Sequence, residues 1–259
     1  MKCCIAGTVR TCGKYLLKIF NNMEKIGSLF EDYVIILYYD NSADDTLKIL
    51  KEYQNKNPKL ILYINNAPLL QYRTHRIALG RNKCLEIMRR NYSDYEYFIM
   101  MDCDDRCAFN IKLKLLNAYL LRNDWDSLSF NHPSGYYDSW ALSIRPYMLS
   151  CHHFKDPFAG VKLVNNLIKK TSKYGLIKCW SAFNGFAIYR ASKFVNCIYS
   201  GAFNLNYIPA KLIKETIMFS GNMGSNKQYH EDCEHRFFHI NAILKNNAKI
   251  RISPACLFI

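Results

Sequence analysis

Apolar residues along the first hundred positions come in two alternating patterns. Residues 3–6, 33–39, 60–64 and 97–101 form short, nearly continuous apolar runs. Runs of strand length without polar alternation predict strands buried on both faces, as in a parallel sheet. Between them the apolar positions take a helical spacing. Leu16, Leu17, Ile19, Phe20, Met23 and Ile26 predict a helix over 14–26, and a second is predicted over 46–54. Ile77, Leu85, Ile87 and Met88 supply much of the apolar face of a third, over 74–90. This rhythm predicts an α/β fold with a mainly parallel central sheet flanked by helices. The second half is less regular. It predicts strands over 128–131, 186–189 and 250–252 and helices over 159–173 and 231–245, joined by loops rich in Asn, Ser, Gly and Tyr. With no repeat, low-complexity tract or Pro/Gly/Ser linker, a single domain over 1–259 is expected.

Composition narrows the class. Of 259 residues, half are hydrophobic and 22% charged, which excludes a disordered basic tail. Eleven cysteines, an odd number at irregular spacing and with no secretory signal before them, read as reduced thiols of an intracellular, cytoplasmic protein. No apolar run approaches the ~18 residues of a membrane span, so any membrane contact would be peripheral. Lys plus Arg total 35 against 21 Asp plus Glu, a net charge of +14. Nucleic acid, an anionic membrane surface and a phosphate-bearing small molecule all answer to that excess.

The residues that could do chemistry lie where such sheets bind ligands, beyond the strands' carboxyl ends. Asp102-Cys103-Asp104 directly follows the strand at 97–101. Two carboxylates one residue apart can share a hard cation, Mg²⁺ or Mn²⁺, although a bare Asp-x-Asp is also an ordinary solvated turn. A second acidic turn, 40–46, follows the strand at 33–39. In His230-Glu231-Asp232-Cys233-Glu234-His235, a carboxylate could act as general base. His235 and His239, four residues apart on the predicted helix, could complete a metal shell; acids in a first helical turn also simply suit the helix dipole. Zinc on His230, Cys233 and His235 is the weaker reading, since no regular cysteine pair accompanies them. Arg10, Arg73, Arg76 and Arg81 fall near strand ends or helix starts, where arginine recognises phosphate. Aromatic and polar stretches at 136–142 and 180–186 could stack on sugar rings or simply pack in the core.

Gly-x-x-x-x-Gly-Lys-Ser/Thr, Gly-x-Gly-x-x-Gly and Gly-x-Ser-x-Gly are all absent. A nucleotidyltransferase acting on a sugar phosphate shares the need for a carboxylate-bound metal, but the Gly-rich Lys-containing loop is missing. The lysines are scattered and no nucleic-acid-binding module is present, so no nucleic acid partner is expected.

Together these pieces resemble a nucleotide-sugar-dependent glycosyltransferase with the GT-A fold. The family-2-like elements are Thr8-Val9-Arg10, Tyr39 through Thr46, Arg76 through Asn82, and Asp102-Cys103-Asp104. The second half is similar to a bacterial and viral group related in pattern to fungal capsule mannosyltransferases. That likeness rests on Tyr136-Tyr137-Asp138-Ser139-Trp140-Ala141-Leu142, the segment 181–189, Cys233-Glu234-His235 and 250–254. Two positions depart from the narrower pattern: Asn184-Gly185 stands for a glycine pair, and Arg236 for an apolar residue. A composition rich in Asn, Lys, Ile and Tyr suits an AT-rich genome such as that of a large DNA virus, in the host cytoplasm, or of a low-GC bacterium.

The resemblance implies a nucleotide-sugar-binding half, 1–105, and an acceptor-binding half, 106–259. It implies a UDP- or GDP-linked donor held by Thr8, Arg10, Asp40, Arg76, Arg81, Asn82 and Asp102. Mn²⁺ or Mg²⁺ would sit on Asp102 and Asp104, with His235 or His239 as a further ligand. Asp232, Glu234 or Glu231 would be the base of an inverting transfer to a hydroxyl of a glycan or glycoconjugate acceptor. Asp138, Trp140, Trp180, Asn184 and Gly185 would face the acceptor or sugar.

Overall fold

The computed structural model describes residues 1–220 and 230–259. One eight-stranded sheet runs through both halves of the chain, in the order β3-β2-β1-β4-β7-β5-β8-β6. The strands are β1 (Lys2–Val9), β2 (Asp32–Tyr39), β3 (Leu60–Ile64), β4 (Tyr97–Met101), β5 (Ser127–Asn131), β6 (Ile177–Lys178), β7 (Phe186–Arg190) and β8 (Ile250–Cys256). The first four pair in parallel. β7 lies antiparallel between β4 and β5, β8 is parallel to β5, and β6 is antiparallel to β8. The sheet is therefore mixed, its parallel part being the half with continuous apolar runs.

Both faces are covered, which is why those runs carry no polar alternation. Cys4, Ala6, Val34, Ile36, Tyr38, Phe98 and Met100 point to one face. There they meet α3 (Arg73–Asn91), α5 (Ala159–Lys170) and α7 (Glu234–Asn246). Cys3, Ile5, Val9, Ile35, Leu37, Ile99 and Met101 point to the other, onto α1 (Gly13–Gly27), α2 (Thr46–Lys56) and α4 (Leu113–Leu120). All eleven cysteines are free, and only Cys256 is not fully buried. Among the described residues no helix is long and apolar enough to cross a membrane.

Two helices and one strand escape the sequence pattern. α4 has two turns, too few to display a period. α6 (Ala210–Ser220) begins after Pro209 and carries apolar residues on several sides, so no single stripe marks it. β6 is two residues long. The last predicted helix begins later than expected, at Glu234. Glu231 and Asp232 are thus in the lead-in, and Glu231 does not share a helical face with His235.

Candidate functional site

The carboxyl ends of β1, β2 and β4 meet at one edge of the sheet. β7 runs the other way, so its entry turn, Asn184-Gly185, reaches the same edge. Here a cavity of about 320 Å³ is lined by Thr8, Arg10, Asp40, Arg73, Arg76 and Ile77 on one side and Asp102, Cys103 and Asp104 on the other. The acidic turn after β2 serves two ends. Asp40 faces the cavity and accepts from Asn65 Nδ2 at 3.0 Å. Asp44 and Thr46 accept from the backbone N–H groups of Gly13 and Cys12 at 3.2 and 3.0 Å, which fixes the start of α1.

The arginines divide into anchored and free. Arg10 Nε donates to Asn41 O at 3.1 Å, and Arg76 Nη1 donates to Leu70 O and Gln71 O at 2.6 and 3.0 Å. Both line the cavity while stapling its loops. Arg73 is exposed on the cavity wall and has no hydrogen bond or ion pair among the described residues. Its position before the third predicted helix marked it as a candidate for phosphate, though it was not among the residues that the family resemblance assigned to the donor. Arg81 is 3% exposed and does not line the cavity. Its guanidinium pairs with Glu234 and contacts His235 Nε2, donates to Asp102 Oδ1 at 3.0 Å, and stacks on Phe183 at 4.6 Å. It is a buried strut between α3, α7 and β4, set behind the cavity wall. Asn82, next to it, is equally committed: its amide clamps the Tyr199 backbone with two 2.8 Å bonds.

Asp102 and Asp104 open onto the cavity from the turn after β4. Burial, reinforced by Asp104 and opposed by Arg81, pushes the Asp102 carboxyl up to about 7. Burial also raises Asp104, whose Oδ1 accepts the Arg106 N–H at 3.0 Å. Two carboxylates held together, each disfavoured in its charged form, suit a bound cation. Among the described residues no group of three His, Cys, Asp or Glu forms a cage for one. A cation here would need ligands from a phosphate-bearing molecule, as Mg²⁺ and Mn²⁺ commonly do.

Neither His235 nor His239 lines the cavity onto which Asp102 and Asp104 open. Ser181 Oγ lies 2.9 Å from His239 Nδ1 and Tyr189 Oη 3.1 Å from Nε2, so both ring nitrogens are occupied. Burial drives His239 down to about 3, leaving it neutral. His235 stacks on Phe183 at 3.8 Å, its Nε2 faces Arg81, and burial holds its pKa well below the usual range.

Each acid of the 231–234 segment has a different partner. Glu231 accepts from the Thr74 backbone N–H and hydroxyl at 3.2 and 3.0 Å, in the first turn of α3. Glu234 is the counter-ion of Arg81, and Asp232 that of Arg236. Arg236 is fully buried and also donates to Ser143 Oγ at 2.8 Å and to the Trp140 carbonyl at 2.5 Å. Arg236, where the narrower pattern has an apolar residue, thus gives Asp232 a buried counter-charge.

Asn184 and Gly185 both have left-handed backbones, φ +60° and +85°. Asn is the side chain that best tolerates this region after Gly, which accounts for its place in a glycine pair. The Asn184 amide accepts from the N–H groups of Tyr137 and Asp138 at 3.0 and 3.2 Å and donates to Phe130 O at 2.9 Å. Asp138 in turn accepts from the N–H groups of Ala141 and Asn184 at 3.0 and 3.2 Å. Both residues bind the 136–142 and 181–186 segments together, and no side-chain amide or carboxyl is turned wholly to a ligand. Trp180 packs into the cluster around Met148 and Ile240. Trp140 is half-buried, edge-on to His152 at 4.2 Å. The Gly185 carbonyl receives the Asp102 N–H at 2.8 Å, which ties this turn to the acidic pair. A Cβ on Gly185 would stand 2.6 Å from Tyr137 Oη. Gly185→Ala is therefore expected to cost about 1–3 kcal/mol in urea unfolding. No measurable loss would contradict the turn geometry.

Comparison with known proteins agrees with this architecture. The glycosyl transferase family 2 model matches residues 8–195. No curated protein sequence matches the chain. Among solved structures, S. aureus TarS 1–349 aligns over the whole chain at 16% identity with TM-score 0.52. The same protein in complex with UDP-GlcNAc aligns over the whole chain at 16% identity with TM-score 0.51. The chain spans 60% and 58% of those two chains. The sheet order, the site at the strand ends and the family match, which covers more than half of the chain, lead to one assignment: this chain belongs to glycosyl transferase family 2 and has the GT-A fold.

Proposed function

We propose that the enzyme transfers a sugar from a UDP- or GDP-linked donor to a hydroxyl of a glycan or glycoconjugate acceptor, with inversion and with Mn²⁺ or Mg²⁺. The observation that carries this reading is the cavity itself, with arginines on one wall and Asp102 and Asp104 on the other. Such a pairing suits a diphosphate beside a cation. The UDP-GlcNAc complex of TarS, a protein of the same fold, supports a nucleotide-sugar donor. Residues 1–105 would form the donor half and 106–259 the acceptor half.

In this reading Thr8, Arg10 and Asp40 border the nucleoside, and the exposed Arg73 reaches the diphosphate. Asp102 and Asp104 hold the divalent cation, which when bound supplies charge neutralisation for the leaving diphosphate. Arg81 fixes Asp102 and Glu234, and Glu231 fixes the start of α3. That leaves Asp232 as the acid assigned to take the acceptor's proton. It pairs with Arg236, and among the described residues its Oδ2 is met by the Tyr207 hydroxyl at 3.5 Å.

The test is calorimetric titration with UDP and GDP as preformed Mn²⁺ complexes. Binding should require the metal, and its pH dependence follows from Asp102. A carboxyl with a pKa of about 7 is mostly protonated at pH 6, and that proton must leave before a cation binds. Affinity should therefore be about tenfold weaker at pH 6 than at pH 8. Equal affinity at the two values would remove Asp102 from the ligand set, and no binding of either nucleotide would overturn the donor assignment.

A further inference from the structure

On α6 the chain presents a surface unrelated to the cavity. Lys211, Lys214, Ile217 and Met218 share one exposed arc of the helix. Met218 is 86% exposed and Phe219, at the end of the helix, 61%. The Phe219 ring packs edge-on against Tyr147 at 5.4 Å. Tyr147 lies beside Gly160 at the start of α5, two residues from Phe158, which is 57% exposed. The apolar strip thus joins two helix ends through Tyr147. A groove of about 680 Å³ on α6 is lined by Lys211, Lys214, Glu215, Met218 and Phe219.

The charges around the strip have one sign to offer. Glu215 is held by Arg145 at 2.6 Å and Asp156 by Lys162 at 2.6 Å. Lys155, Lys211 and Lys214 are exposed and carry no ion pair among the described residues. Exposed Met and Phe flanked by unpaired lysines match an interfacial helix, whose apolar side chains enter the headgroup boundary while lysines meet anionic lipid. A second copy of the chain fits poorly, because a self-complementary contact would bring unpaired lysines together on two chains of net charge +14.

We infer that the α6 surface, Lys211, Lys214, Met218 and Phe219 with Tyr147 and Phe158, docks the enzyme on an anionic lipid bilayer. The assignment goes beyond the transfer reaction and does not depend on which donor is used.

Co-sedimentation of the full chain with vesicles tests it. Binding is expected to vesicles of phosphatidylcholine containing 30% phosphatidylglycerol, not to phosphatidylcholine alone, and should weaken with salt. The double variant Lys211→Glu with Lys214→Glu should lose roughly tenfold or more in partitioning, and Met218→Glu should also lose it. The variant Lys169→Glu with Lys170→Glu changes the net charge equally, at exposed lysines of the last turn of α5. It should keep binding. A melting temperature within a few degrees of the parent confirms that each variant is folded. Equal loss in both lysine variants would reduce the effect to net charge and overturn the assignment. So would an absence of vesicle binding, or a solution dimer abolished by Met218→Glu.

Discussion

Asp104→Asn is expected to lower sugar transfer by about three orders of magnitude, on the order of 4 kcal/mol of transition-state stabilisation. The substitution keeps the shape of the side chain and removes one of the two carboxylates of the acidic pair. It should not unfold the protein. Burial raises the Asp104 pKa above its unfolded value, so at neutral pH the charged carboxylate weakens the native state. That penalty grows as pH rises through the unfolded-state pKa, and asparagine removes it. The variant should therefore melt at the same temperature as the parent or slightly higher at pH 8, while activity collapses. Transfer within a few-fold of the parent at saturating Mn²⁺ would remove Asp104 from the metal site.

Arg81→Ala should act in the opposite way, chiefly on stability. The guanidinium is 3% exposed and answers two carboxylates, Glu234 and Asp102. Removing it leaves Glu234 buried without a counter-charge and frees Asp102 to rise further. Breaking a buried pair from one side costs about 3–5 kcal/mol, against about 1 kcal/mol for an ordinary exposed pair. Urea unfolding at pH 8 should show that loss. Adding Glu234→Gln to Arg81→Met should recover much of it, because the stranded charge is then gone. A loss below about 1 kcal/mol for Arg81→Ala would contradict the buried strut.

The first four strands were legible because burial on both sheet faces leaves a mark that needs no partner: a run of apolar residues ending at a turn. The acidic pair was legible for the same reason, since its meaning lies in its place after β4. Contacts between distant residues left no such mark. Arg81 and Glu234 are 153 positions apart, and nothing local distinguishes an arginine that holds a carboxylate from one that waits for a phosphate. Of the three arginines assigned to the nucleotide, Arg10 and Arg76 line the cavity and Arg81 is buried behind it, while Arg73 stands on the wall with no ion pair among the described residues. His235 and His239 have the spacing of a ligand pair, yet that spacing equally serves two rings packed in a core. Asn184 was read as facing the acceptor from its place in the 181–189 segment that carries the family likeness. Its left-handed backbone explains the replacement, and its amide holds the scaffold. The mixed second half of the sheet depends on β7 running against β4, a pairing of residues 85 to 93 positions apart that apolar periodicity does not encode.

The central claim, transfer of a sugar with loss of a nucleoside diphosphate at this cavity, is tested most directly by phosphorus NMR of a reaction with UDP- and GDP-sugars, acceptor glycan and Mg²⁺, the diamagnetic of the two cations. The account predicts that one donor's diphosphate signals give way to those of the free nucleoside diphosphate, with α- and β-phosphorus still joined. Appearance of a nucleoside monophosphate with a sugar phosphate, or no change in any donor, would contradict it.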